Sequence, residues 1–205
     1  MSKIKMCGLS RREDILAANE VLPDYIGFVF AEKSRRHVTP EQAAGLKALL
    51  DPRIRAVGVF VREEPERIAE LLSAGTIDIA QLHGGESEDY IRRLRSLTDK
   101  PLLRAFRIDG PEDLAEAQRS SADGILLDNG AGGTGTSFDW SLLEGFSRPY
   151  FLAGGLDAEK AALAVMRLQP YALVVSSGIE TGGWKDPGKM KAFAQAVRQA
   201  ERMAK

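Results

Sequence analysis

Eight short apolar, β-branched runs alternate with eight segments of helical period, a pattern that predicts an α/β fold and, within that class, a closed (β/α)8 TIM barrel. Strict alternation forces parallel strands joined by crossovers, which leaves a closed barrel or an open doubly wound sheet, and eight units favour closure. Length agrees with one compact domain over residues 1–205, since such barrels usually take about 250 residues but reach down to about 200. The open doubly wound sheet is the alternative.

The first run, Lys3 to Cys7, alternates Ile4 and Met6 with Lys3, Lys5 and Cys7, so a strand sends the apolar pair to one face and the chain's one cysteine to the other. Strands are then expected at Tyr25 to Phe30, Ile54 to Val61, Ile77 to Leu82, Leu102 to Phe106, Gly124 to Asp128, Pro149 to Ala153 and Tyr171 to Ser176. Helices are expected at Arg11 to Val21, Pro40 to Leu50, Pro65 to Ala74, Ser87 to Leu97, Pro111 to Gln118, Asp139 to Leu143, Asp157 to Met166 and Pro187 to Met203. Thr39 before Pro40, and Ser10 three residues before Glu13, have the chemistry of helix N-termini. Pro65, Pro111 and Pro187 suit a first helical turn.

The composition is that of an ordinary globular protein, 44% hydrophobic. A formal net charge of -1 supplies no global positive field for nucleic acid or an anionic membrane. The first twelve residues mix charges and no apolar run approaches the length of a membrane span, so a cytoplasmic protein is expected. One cysteine excludes an intramolecular disulfide, and His37 and His83 show no metal-ligand spacing, so no metal is expected.

In a barrel, catalytic groups sit where strands end, and the unusual residues fall there. The first strand ends in Cys7, the second leads to Ser34-Arg35-Arg36-His37, the fourth runs into Gln81-Leu82-His83-Gly84, and the sixth ends in Asp128. Each has a plain structural reading: an inert core thiol, a solvated loop charge, a packing histidine, a turn aspartate. The last three strand ends make a joint case. Gly132-Gly133-Thr134-Gly135, Gly154-Gly155 and Ser176-Ser177-Gly178 follow strands six, seven and eight. Glycines let backbone N–H groups approach an anion closely, and barrels frequently bind phosphate in the loops after strands seven and eight.

Lys5-Met6-Cys7-Gly8-Leu9, Gly27-Phe28-Val29-Phe30 with Ser34-Arg35-Arg36, Val57-Gly58-Val59-Phe60-Val61, Gln81-Leu82-His83-Gly84, Leu126-Leu127-Asp128, Gly132-Gly133-Thr134-Gly135 with Phe138-Asp139-Trp140, Leu152-Ala153-Gly154-Gly155-Leu156 and Ser176-Ser177-Gly178-Ile179-Glu180 together resemble the phosphoribosylanthranilate isomerases of tryptophan biosynthesis, over essentially the whole chain. The resemblance implies a (β/α)8 barrel that carries out an Amadori rearrangement on a phosphosugar without any cofactor. It implies Asp128 as the acid that opens the sugar ring, Cys7 as the base at the second sugar carbon, and Arg36 as the grip on the anthranilate carboxylate, with Arg35 the adjacent alternative. Gln81 and His83 are expected to bind substrate, and Gly133, Thr134, Gly135, Gly155, Ser177 and Gly178 to bind its phosphate. A carboxylic acid is almost wholly ionised at neutral pH, so Asp128 must be raised by desolvation or by the substrate's charges before it donates.

One departure stands out: the family commonly has aspartate two residues before Ser-Ser-Gly, where this chain has Val174. Alternation in strand eight, a neighbour of strand one in a closed barrel, is expected to point Val174 inward near Lys5 and Cys7. A related phosphosugar isomerase or epimerase, or a non-catalytic phosphosugar-binding barrel, are the rival readings. Either a monomer or a homodimer fits.

Overall fold

The computed structural model describes residues 1–128, 140–143 and 145–204. Eight parallel strands, β1 (Lys3–Cys7), β2 (Tyr25–Val29), β3 (Arg55–Phe60), β4 (Ile79–Leu82), β5 (Leu102–Arg107), β6 (Gly124–Asp128), β7 (Tyr150–Leu152) and β8 (Ala172–Val175), pair in chain order and close with β8 on β1. Helices α1 (Arg12–Val21), α2 (Pro40–Lys47), α3 (Pro65–Ser73), α4 (Glu88–Arg95), α5 (Pro111–Arg119), α6 (Ala158–Leu168) and α7 (Pro187–Met203) form the outer ring. The expected barrel is the observed one. Among the described residues no helix is long and apolar enough to cross a membrane.

The helix starts follow local chemistry, with two corrections. At α2, Thr39 Oγ1 accepts from Gln42 N at 3.2 Å while Gln42 Oε1 accepts from Thr39 N at 2.9 Å, a reciprocal cap with Pro40 in the first turn. At α1 the expected Ser10–Glu13 pair is not the cap. Asp14 reaches back instead, its Oδ2 accepting from Ser10 N and Arg11 N at 3.0 and 3.1 Å, because the helix begins later than the Ser10 cap required. The second correction concerns the helix expected over Asp139 to Leu143. Asp139 lies outside the described residues, and Trp140–Leu143 is a single 3-10 turn. Gly145, at φ 90°, follows too soon for an α-helical nucleus to propagate.

Between barrel and helices lies an apolar shell that includes Ile4, Met6, Ile26, Phe28 and Phe60 from the strands and Ile15, Ile68, Phe193 and Val197 from the helices. Strand alternation sends the remaining residues inward. The pairings, with the one-residue stagger per strand of an eight-stranded barrel, stack these inward residues in layers of four from alternate strands. Lys5, Val57, Leu103 and Phe151 form a lower layer. Gly27, Gln81, Leu126 and Val174 lie above it, then Cys7, Val59, Ala105 and Ala153, and at the mouth Val29, His83, Asp128 and Ser176. Gly27 leaves room for the thiol, since a Cβ there would stand 2.7 Å from Cys7 Sγ.

Val174 therefore points inward as expected, in register with Lys5. Lys5 is 0% exposed, and among the described residues its Nζ has no hydrogen-bond partner. A buried unsatisfied donor costs about 1–3 kcal/mol. Lys5→Met, which fills similar volume without a polar atom, should raise the free energy of unfolding by about 1–3 kcal/mol in urea titrations. A less stable variant would show that Lys5 makes a favourable interaction inside the barrel.

Candidate active site at the mouth of the barrel

The C-terminal ends of the strands enclose a cavity of about 660 Å³. It is lined by Cys7 from β1, Ser34 and Arg36 after β2, Gln81 and His83 from β4 and its end, Asp128 from β6, Gly154 and Gly155 after β7, and Val174, Ser176 and Ser177 from β8 and its end. Seven sequence-derived candidates, Cys7, Arg36, Gln81, His83, Asp128, Gly155 and Ser177, thus share one cavity. Gly178 does not line it and instead packs under the Leu156 carbonyl. Gly133, Thr134 and Gly135 lie outside the described residues.

One side of the mouth carries a polar chain. Gln81 Nε2 lies 2.8 Å from His83 Nδ1. On the far side of the ring, Nε2 faces Asp128 Oδ2 at 3.4 Å. His83 thereby faces the predicted acid directly, and Gln81 reaches it only through His83.

The other side is cationic. Arg36 gives Nε and Nη2 to Glu180 Oε1 and Oε2 at 2.7 and 3.0 Å, a fork-on-fork pair. Arg35 Nη2 reaches Glu180 Oε2 at 2.5 Å from the solvent side. Lys185 Nζ donates to Glu180 Oε1 at 2.7 Å and to Ser176 O at 2.9 Å, and Ser176 Oγ donates to Cys7 O at 3.0 Å. Burial alone would raise the Glu180 carboxyl, but hydrogen bonds from Arg36 and Lys185 outweigh it and hold the group down at about 2, against 4.5 for an ordinary glutamate. Burial pulls Lys185 below the usual lysine range, against the opposing pull of Glu180 and Cys7.

Glu180 and Lys185 were not among the sequence-derived site residues. They stand on a hairpin of β9 (Glu180–Thr181) and β10 (Trp184–Lys185). Its Gly182-Gly183 turn has φ of 58° and 87°, the type I′ signature that was readable in Thr181-Gly182-Gly183-Trp184. What the sequence did not show is that the hairpin folds its charges back under the second βα loop.

A parallel eight-stranded barrel with a thiol, a carboxylate and an arginine fork converging at its C-terminal mouth belongs to the class of TIM-barrel enzymes. The comparisons narrow that class. The family model for N-(5'-phosphoribosyl)anthranilate isomerase matches residues 4–196. A Thermoanaerobacter sp. (strain X514) protein of that name is 44% identical over 204 residues, covering 97% of this chain and 98% of the relative. The crystal structure of phosphoribosyl anthranilate isomerase from Thermotoga maritima superposes with a TM-score of 0.88 at 35% identity, covering 97% of this chain and 100% of that one. A phosphoribosyl anthranilate isomerase in complex with reduced 1-(o-carboxyphenylamino)-1-deoxyribulose 5-phosphate gives 0.86 at 34% identity, with 97% and 100% covered. This chain belongs to the N-(5'-phosphoribosyl)anthranilate isomerase family.

The Glu180 pair makes an acid-range prediction. A carboxyl whose folded pKa is depressed contributes stability above its unfolded value, and that contribution disappears as pH falls through the folded value. Stability should therefore drop between about 4.5 and about 2, and Glu180→Gln should flatten that acid limb in urea midpoints measured across the range. An acid limb of unchanged slope in the variant would contradict the assignment.

Proposed function

We propose that this chain is a phosphoribosylanthranilate isomerase of tryptophan biosynthesis, converting N-(5-phosphoribosyl)anthranilate to 1-(2-carboxyphenylamino)-1-deoxyribulose 5-phosphate. The observation that carries the reading is one cavity lined by Cys7, Asp128 and Arg36 in a chain that matches the family from residue 4 to residue 196. The reaction is an internal shift of protons that consumes no redox equivalent.

The circular strand order suits such a substrate. Arg36 follows β2, Cys7 ends β1, Gly155 and Ser177 follow β7 and β8, and Asp128 ends β6. A substrate with its carboxylate on Arg36 and its phosphate on the loops after β7 and β8 lays its sugar across the mouth between Cys7 and Asp128. Asp128 gives its proton to the ring oxygen, the C1–O bond breaks, and the aniline nitrogen's lone pair forms the C=N bond of a Schiff base. Cys7 as thiolate then takes the proton from C2, and the electrons of that C–H bond move to make the enolamine. The enolamine becomes the ketone as a proton is added at C1 and lost from the C2 hydroxyl. His83, its Nε2 toward Asp128, and Gln81 behind it orient the acid.

Arg36 recognises the aryl carboxylate because a planar guanidinium fork matches that anion. Gly155 and Ser177 contribute to phosphate binding, joined in the proposal by Gly133, Thr134, Gly135 and Gly178. The reading extends to one cytoplasmic domain, as a monomer or homodimer.

The test is a fluorescence time course on freshly prepared substrate, corrected for spontaneous hydrolysis. Asp128→Asn and Cys7→Ser should each lower kcat by about 10²–10⁴, while inhibition by the reduced product analogue stays within about threefold in the absence of any lost binding contact. Near-normal turnover by either variant would remove that residue from its role. A folded wild-type protein with no conversion above the blank would overturn the proposed reaction.

A further inference from the structure

We propose that Glu180, braced by Lys185, is the positioning residue that sets the plane of the Arg36 fork for an aryl carboxylate; the inference rests on the role of Arg36 given above. An arginine on a loop has a long stem whose rotamer freedom must be lost before it can offer two parallel donors. Two contacts remove that freedom here, on a backbone that a third fixes. Ser34 Oγ accepts from Arg36 N at 3.1 Å. The Arg36 stem lies over Gly8, where a Cβ would collide with Arg36 Cδ. Glu180 takes the Nε and Nη2 edge of the guanidinium with both carboxylate oxygens. Among the described residues Nη1 has no hydrogen-bond partner, so the guanidinium keeps a donor edge for an anion in the cavity that Arg36 lines.

Glu180 is itself held more firmly than an exposed ion pair would be. Its side chain is 5% exposed, Lys185 Nζ holds Oε1, and Lys189 Nζ donates to its backbone carbonyl at 2.7 Å. The hairpin that carries both residues is tied to α1. Arg11 donates to Lys185 O at 3.1 Å, and the Arg11 guanidinium stacks on Trp184 at 4.6 Å. Among the described residues the ion pairs of this cluster are those of Arg35, Arg36 and Lys185 with the single Glu180 carboxylate. One carboxylate among three cations orients Arg36 without neutralising the site, and a carboxylate ligand meets net positive charge.

The test compares inhibition by reduced 1-(o-carboxyphenylamino)-1-deoxyribulose 5-phosphate with inhibition by its counterpart lacking the carboxylate, with inorganic phosphate as a control. Arg36→Met should abolish most of the preference for the carboxylated compound. Glu180→Gln should reduce that preference by about ten- to a hundredfold, raise KM more than it lowers kcat, and leave phosphate inhibition unchanged. Glu180→Asp, too short to hold both Nε and Nη2, should recover only part of it. Glu180→Gln leaves Lys185 buried without its anion, so Glu180→Gln/Lys185→Met, which removes both charges, keeps the barrel folded and should show the same lost preference. Adding Glu180→Gln to Arg36→Met should cost no further preference, since both act through one fork. A wild-type preference in Glu180→Gln or in the paired variant, with the preference lost in Arg36→Met, overturns the positioning role while leaving Arg36 in place. Additive losses in Arg36→Met/Glu180→Gln also overturn it. A preference that survives Arg36→Met overturns the reading of Arg36 itself.

Discussion

The pairing of β8 with β1 is the constraint on which the rest of this structure depends. Lys3, Ile4, Lys5 and Met6 lie beside Ala172, Leu173, Val174 and Val175, and a sheet joined at that seam has no free edge. Closure also sets the stagger, and the stagger decides which inward side chains share a layer. Cys7 owes its place at the mouth to it. Its backbone carbonyl accepts from Ser176 Oγ, 169 residues away in the chain, and the loops after β7 and β8 come to stand next to the strand that carries the thiol.

The mouth that closure creates is electrically uneven. Around β1, β2 and β8, Arg35, Arg36 and Lys185 converge on Glu180. Across the cavity, His83 and Gln81 back Asp128, and Asp113 and Glu116 line the same wall with Arg107. These charges come from loops distant in sequence, while the floor of the barrel stays apolar except at Lys5 and Gln81. Val174 is central to that floor: it is in register with Lys5 and lines the cavity with Cys7, so the residue beside the lysine offers it no anion.

Much of this was legible from local pattern. All eight strands were, because period-two alternation and β-branched content act within five or six residues. Thr39-Pro40 marked its helix correctly because a reciprocal cap is satisfied entirely within four residues. Ser10 with Glu13 misled because Asp14 offers the same reach one residue later, and the choice between them depends on where β1 delivers the chain. The segment around Trp140 fell short of a helix because Gly145 cuts it off. Cys7, Arg36, Gln81, His83 and Asp128 were singled out by their place at or after strand ends together with the family resemblance, and the structure brings all five to one cavity.

Glu180 and Lys185 were beyond that method. Nothing within a few residues of either indicates that a two-residue turn will fold them under a loop 144 positions earlier in the chain. The sequence by itself determined the number and order of the strands, the face on which each strand residue would stand, and which polar and ionisable residues would stand at the strand ends, because these follow from periodicity and connection length. Only the tertiary structure decided that Lys5 is buried with no hydrogen-bond partner among the described residues, that Gln81 reaches Asp128 through His83, and that Arg36 is held by Glu180. Those depend on register and side-chain packing between strands and loops far apart in the chain, where small differences in stagger select one partner over another.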